Sequence, residues 1–202
     1  MTLDDARPPA GLLLAAGEGS RLGRPKATLE LGGERLVDRG VRMLRDAGCS
    51  PVLVVAGAEP VEVIGAVVVP NAGWRAGMGS SLRAGLAALP PDCPAVVVAL
   101  VDQPLVTAAA VRRLIAAYRD GAEIAVATYG GAPRNPVLLG ARHFAAAAES
   151  AVGDRGARDY LRAHPGLVTR VPCDDVAAPD DIDTPEDLAA FDRRPGGPRA
   201  EG

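Results

Sequence analysis

The feature that most constrains this chain is a series of short, unbroken apolar runs, each followed by a stretch with helical spacing. Residues 95–101 read AVVVALV, 11–16 read GLLLAA, 51–56 read PVLVVA and 66–69 read AVVV. Runs this short, without polar alternation, are strands buried on both faces. Between them, Leu36, Val37, Val41 and Leu44 fall on one face of a helix that Gly48 would stop. Leu82, Leu86 and Leu89 mark a second helix, with Ser80 placed to cap it, and Thr107 can cap a third running through residue 118. Residues 123–128 and 136–139 suggest further strands. Strands alternating with helices predict a mainly parallel sheet with helices on both faces, a three-layer α/β fold. Ligands of such sheets bind just beyond the carboxyl ends of the strands. Chemistry-bearing residues are therefore to be sought in the loops that follow the apolar runs.

Composition narrows the function classes. The chain has 202 residues, 48% of them hydrophobic, which suits one domain with a substantial core. That domain is expected over residues 11–192, with flexible tails at 1–10 and 193–202. A net charge of −3 argues against a general nucleic-acid or membrane-surface binder. No apolar run approaches the ~20 residues of a membrane span. The first ten residues carry two aspartates and no apolar core, unlike a secretory leader. Cys49, Cys93 and Cys173 are widely spaced and form no metal or disulfide pattern. Buried thiols in a reducing cytoplasm are the expectation.

The first apolar run leads straight into Gly17-Glu18-Gly19-Ser20-Arg21-Leu22-Gly23-Arg24-Pro25-Lys26. Glycines let backbone amides approach an anion, and Arg21, Arg24 and Lys26 add three positive charges. The spacing fits neither a dinucleotide fingerprint, since Leu22 stands where glycine is needed, nor a Walker A loop. A polar surface loop is the plain alternative. The run 95–101 is followed by Asp102-Gln103-Pro104. A carboxylate at the end of a central strand suits a metal ion shared with substrate phosphates, or else a turn before proline. Residues 174–187 hold seven acids and no base. Thr184-Pro185-Glu186-Asp187 reads as a helix start, which explains Glu186 and Asp187 but not Asp181 and Asp183.

Residues 14–26, LAAGEGSRLGRPK, resemble the signature loop of the MobA-like NTP transferases, most of all the molybdenum cofactor cytidylyltransferases (MocA type). Further segments resemble the family in order: 71–82 (NAGWRAGMGSSL) beside the nucleotide base, Asp102-Gln103-Pro104, 134–138 (RNPVL), 153–158 (GDRGAR) and 181–187 (DIDTPED). The resemblance implies a Rossmann-like, nucleotide-diphospho-sugar transferase-like fold and CMP transfer from CTP to molybdopterin, with loss of pyrophosphate. It implies nucleotide binding by Leu14, Ala15, Ala16, Gly17, Gly19, Ser20, Arg21, Lys26, Ser80 and Ser81. Arg21 would grip the β- and γ-phosphates and Lys26 would meet the α-phosphate. Asp102 and Asp183, with Asp181 in reserve, would hold Mg²⁺ or Mn²⁺. Asn135, Arg155 and Arg158 would face the acceptor, although Asn135 stands where histidine is commoner. Trp74 either stacks on a ligand or, the preferred reading, pins its loop to the core. A molybdoenzyme or its maturation factor is an implied partner. Ala16, where guanylyl enzymes tend to have glycine, points to CTP. Guanylyl transfer, transfer to a sugar phosphate, and a non-catalytic cofactor carrier stay open.

Overall fold

The computed structural model describes residues 7–192. It contains one seven-stranded sheet and a small two-stranded ribbon. The strands are β1 (Ala10–Leu14), β2 (Glu30–Leu31), β3 (Glu34–Arg35), β4 (Val52–Ala56), β5 (Val67–Pro70), β6 (Ala95–Leu100), β7 (Ile124–Tyr129), β8 (Ala132–Gly140) and β9 (Val168–Pro172). The helices are α1 (Leu36–Asp46), α2 (Met78–Ala87), α3 (Ala108–Arg119), α4 (Phe144–Ser150), α5 (Arg158–Ala163) and α6 (Pro185–Asp192). The order across the large sheet is β5-β4-β1-β6-β8-β7-β9. All pairings are parallel except those of β8, which runs against both β6 and β7. The expected three-layer, mainly parallel sheet is what forms.

Three of the apolar runs, in β1, β4 and β6, form strands whose two faces are covered; the fourth, 66–69, expected to be buried likewise, forms the edge strand β5, where Val67 is exposed and no residue is fully covered because only β4 flanks it. Leu13, Val54 and Val97 point to the layer that contains α1 and α3. Leu12, Val55 and Val96 point to the layer that contains α2 and α4. Buried on both sides, these strands have no polar positions to alternate with. Because β1, β4, β5 and β6 are mutually parallel, their carboxyl ends share one edge. Two antiparallel steps return β7 to the same direction, and β9 pairs parallel to β7, so their ends lie at that edge too.

Several boundaries differ from the sequence reading. Ala10, expected in a tail, opens β1 and is fully buried, and Arg7 pairs with Asp92. Residues 1–6 and 193–202, the rest of the expected tails, lie outside the described residues. Ser80 does not cap α2: the helix begins at Met78 behind Gly77, and the Ser80 hydroxyl donates to the Gly77 carbonyl at 2.8 Å. Gly77 suits that position because its φ is +96° and a Cβ there would meet Gly153 and Asp154. β8 is longer than expected, and β9, an edge strand of mixed polarity, was not foreseen. Thr107 caps α3 as expected, accepting from the Ala110 amide. Cys49, Cys93 and Cys173 are free and buried, and burial pushes the Cys49 thiol up to about 12.

Candidate active site

Lys26, Asp102 and Asp183 converge at the carboxyl edge of β1 and β6, beside the loop that follows β1. Leu14 and Ala15 are still tied to the sheet: the Leu14 carbonyl accepts from Val101, and the Ala15 amide donates to Val55. Beyond them the chain leaves the sheet, and the amides of residues 17–21 donate to no acceptor among the described residues. Leu22 folds back to the Gly19 carbonyl at 2.8 Å, which closes the turn. Gly19 is required for that shape. Its φ is +62°, and a Cβ would lie 2.2 Å from the Arg24 carbonyl oxygen. Gly19→Ala should leave the melting temperature nearly unchanged but weaken NTP binding by about tenfold to a hundredfold, since such strain costs roughly 1–3 kcal/mol. Equal NTP affinity of the two proteins by calorimetry would show that the loop does not hold the nucleotide. Arg21 and Arg24 are exposed, and no acidic side chain among the described residues pairs with either.

Lys26 opens a 3₁₀ turn, Lys26–Thr28, anchored by the buried Ala27 and Leu29. Its ammonium donates to Asp102 Oδ2 at 2.7 Å and to Asp183 Oδ1 at 2.5 Å. Burial opposes the charged form, but the charge of Asp102 and the hydrogen bonds to both carboxylates outweigh it and hold Lys26 above the usual lysine range. Three residues spread over most of the chain thus meet at one point.

Asp183 arrives there because the acidic segment is stitched across the sheet edge. The Ile182 side chain is fully buried and its amide donates to the Asp102 carbonyl at 2.8 Å. The Thr107 hydroxyl donates to the Val176 carbonyl, and the Ala178 amide donates to Leu105. Beyond Asp183, Thr184 and Asp187 form a reciprocal cap on α6. The Asp187 amide donates to the Thr184 hydroxyl, while the Asp187 carboxylate accepts from the amides of Asp183 and Thr184. These bonds to the charged form hold the Asp187 carboxyl below the usual range. The backbone of the segment is thus fixed at the sheet edge, while Asp174, Asp175, Asp180 and Glu186 stay exposed to solvent.

In the sequence Gln103 stands only as part of a motif; in the structure it holds the acidic segment. It is buried, and its Nε2 donates to Asp181 Oδ1 at 2.8 Å and to the Pro179 carbonyl at 3.4 Å. A polar side chain two residues past the apolar run 95–101 was the available signal. Asp181 keeps contact with solvent, yet crowding by neighbouring atoms pushes its carboxyl above the usual range. The Gln103 bond opposes that shift, and the charges of Asp102 and Asp183 assist it. Gln103→Leu should release this clasp and raise the metal concentration needed for half-maximal turnover by about 10–100-fold, as supporting residues of metal sites do. An unchanged metal titration would show that the Ile182 anchor alone suffices.

Asp102 and Asp183 fit a hard divalent cation. Both supply oxygen, and one oxygen of each lies within hydrogen-bond reach of the same ammonium. Among the described residues no group of three or more acidic, histidine or cysteine side chains is gathered for a metal. An ion here therefore takes its remaining ligands from substrate phosphates and water, as Mg²⁺ commonly does.

The remaining candidates divide. Ser80 and Ser81 are buried, and both hydroxyls accept from Asn71 Nδ2, at 2.9 and 3.1 Å. They stitch the 71–77 loop to α2. Trp74 packs against Gly57, where an added Cβ would lie 2.5 Å from the Trp74 Cβ, and Arg75 sits 4.5 Å from the indole centroid. Trp74 pins its loop, as preferred. The Ala16 methyl is buried in the same corner, 2.8 Å from that same Cβ position on Gly57, so it does not stand in open space. Asn135 lies at the site edge, two residues upstream of the Val98–Val137 pair. Arg155 is exposed and paired with Asp159 at 3.1 Å, and Arg158 is exposed at the start of α5. Asp154 accepts from the Met78 amide at the start of α2.

A mainly parallel sheet with a glycine-rich basic loop and paired carboxylates at its carboxyl edge defines an enzyme of the nucleotidyltransferase class. Residues 11–168 match the MobA-like NTP transferase domain, and the chain belongs to that family. It is 38% identical over 192 residues to nicotine blue oxidoreductase of Paenarthrobacter nicotinovorans, covering 88% of this chain and 93% of that one. It is 41% identical over 117 residues to a probable molybdenum cofactor guanylyltransferase of Opitutus terrae, covering 55% of this chain and 56% of that one. The crystal structure of Rv0371c from Mycobacterium tuberculosis in complex with manganese superposes with a TM-score of 0.76 at 25% identity, covering 91% of this chain and 97% of that one. No helix among the described residues is long and apolar enough to cross a membrane.

Proposed function

We propose that the chain transfers a nucleoside monophosphate from an NTP, with CTP as the donor, to the phosphate of molybdopterin, releasing pyrophosphate. The observation that carries this reading is the meeting of Lys26, Asp102 and Asp183 beside the free amides of the 17–21 loop. The loop amides and Arg21 bind the β- and γ-phosphates. Lys26 neutralises charge that builds at the α-phosphoryl group, and the acceptor oxygen attacks in line. Bound by Asp102 and Asp183, Mg²⁺ or Mn²⁺ supplies charge neutralisation and alignment of the phosphates. The manganese complex of a structural relative supports a divalent ion here. Asn135, Arg155 and Arg158 are the candidates for holding the acceptor. No residue needs to form a covalent intermediate.

Two other readings have support. The relative from Opitutus terrae is named a guanylyltransferase, which favours GTP. The Ala16 methyl, buried beside Gly57, can influence base choice only by shaping that corner. The relative from Paenarthrobacter nicotinovorans is named an oxidoreductase, which makes a redox reaction the competing activity. Pyrophosphate release is to be measured with each of the four NTPs and molybdopterin, beside an assay for redox conversion of nicotine blue. Metal-dependent pyrophosphate release with CTP is the expected result. Faster release with GTP would overturn the donor assignment. Turnover of nicotine blue without pyrophosphate release from any NTP would overturn the transferase reading.

A further inference from the structure

We infer that Lys26 is a built-in competitor for the divalent cation: its ammonium holds the place between Asp102 and Asp183 until a nucleotide triphosphate draws it away, so metal binds well only together with nucleotide. The inference rests on the transferase reading above and concerns the free protein. The same two oxygens, Asp102 Oδ2 and Asp183 Oδ1, take the ammonium at 2.7 and 2.5 Å. A divalent ion taken up by these same two oxygens would need the space that Nζ now fills. Two cations cannot share it, so one must leave.

Charge balance decides when the exchange is favourable. With Lys26 in place, two carboxylates face one positive charge. If a divalent ion replaced it without nucleotide, the carboxylates would be neutralised and the ammonium would lose both of its direct carboxylate partners. Asp181 and Asp187 are near enough to feel its charge, but neither hydrogen-bonds to it: Asp181 is held by Gln103, and Asp187 by the amides of Asp183 and Thr184. A triphosphate removes that penalty by giving the ammonium a new anionic partner. The movement needed is small. The backbone at Lys26 is fixed by the buried Ala27 and Leu29, while the lysine stem passes beside the phosphate loop, its Cγ 3.4 Å from where a Gly19 Cβ would stand. A swing about side-chain bonds therefore carries the ammonium from the carboxylates toward an anion held by that loop. Metal and nucleotide binding are coupled because each removes the obstacle to the other.

Mn²⁺ binding to the full chain, followed by the electron paramagnetic resonance of the free ion, tests this without turnover. Titrations are made without nucleotide and with non-hydrolysable CTP or GTP analogues, corrected for Mn²⁺ bound to analogue alone. The wild-type chain is expected to bind Mn²⁺ weakly alone and about tenfold or more tightly with analogue. Lys26→Gln should bind Mn²⁺ alone about tenfold or more tightly than wild type, with the coupling to nucleotide reduced. Lys26→Arg, which keeps the charge, should stay near wild type, and adding Asp102→Asn to Lys26→Gln should abolish the gain. Nucleotide-free affinity in Lys26→Gln no higher than wild type, or raised equally in Lys26→Arg, would overturn the competitor role while leaving the transferase reading intact. If Asp102→Asn alone failed to weaken Mn²⁺ binding in the presence of analogue, the metal site itself would fall, and this inference with it.

Discussion

Asp102→Asn should abolish most turnover while leaving the fold in place. Asp102 follows β6, and one of its carboxylate oxygens accepts from Lys26 at 2.7 Å. Asparagine keeps the shape of the side chain but removes the charge that a hard cation and an ammonium both require. A catalytic metal supplies several kcal/mol of transition-state stabilisation, so the loss in kcat should be about 10²–10³-fold or more. The backbone carbonyl of residue 102, which accepts from Ile182, is untouched, so Asp183 should stay near its place. Steady-state kinetics across a metal titration, beside a melting curve, checks this. Wild-type kinetics with a native melting curve would remove Asp102 from the metal site.

Lys26→Ala should lower kcat by roughly 10²–10³-fold, the usual effect of deleting a group aimed at developing charge. It should weaken NTP binding far less. Charge grows at the α-phosphoryl group as the reaction proceeds, so a cation aimed there acts mainly in the transition state. The two carboxylates that now hold Lys26 lose their resident cation in this variant and become freer to take metal. The defect should therefore persist at saturating metal. A variant that raised KM alone, with kcat preserved, would make Lys26 a ground-state anchor.

Much of this architecture was legible in the sequence because hydrophobic patterning is local. Runs buried on both faces announce themselves without partners, and so β1, β4 and β6 were found within a residue or two. The cap at Thr107 and the start of α6 at Thr184 were legible for the same reason, since a cap involves residues only three apart. β9 was missed because an exposed edge strand has no continuous apolar signal, and its pairing with β7 is set by chain some forty residues away. Ser80 was misassigned as a cap because Gly77, also small and placed three residues earlier, starts the helix.

The site divides along the same line. Asp183 was placed only by the resemblance of residues 181–187 to the family, because β9, the strand before that segment, carries no apolar signal. The order of apolar runs and the glycines, bases and acids that follow them determined, without coordinates, that Lys26 and Asp102 belong to one carboxyl edge. Residue type and strand position suffice for that, because parallel strands deliver every such loop to the same side. Only the tertiary structure decided that the Lys26 ammonium lies between the two carboxylates, that Gln103 clasps Asp181, and that Ser80 and Ser81 are engaged by Asn71. Each of these is a contact of a few ångströms between side chains whose directions depend on how loops from different strands pack together. A pattern along one chain carries no record of those directions until the sheet has brought the loops side by side.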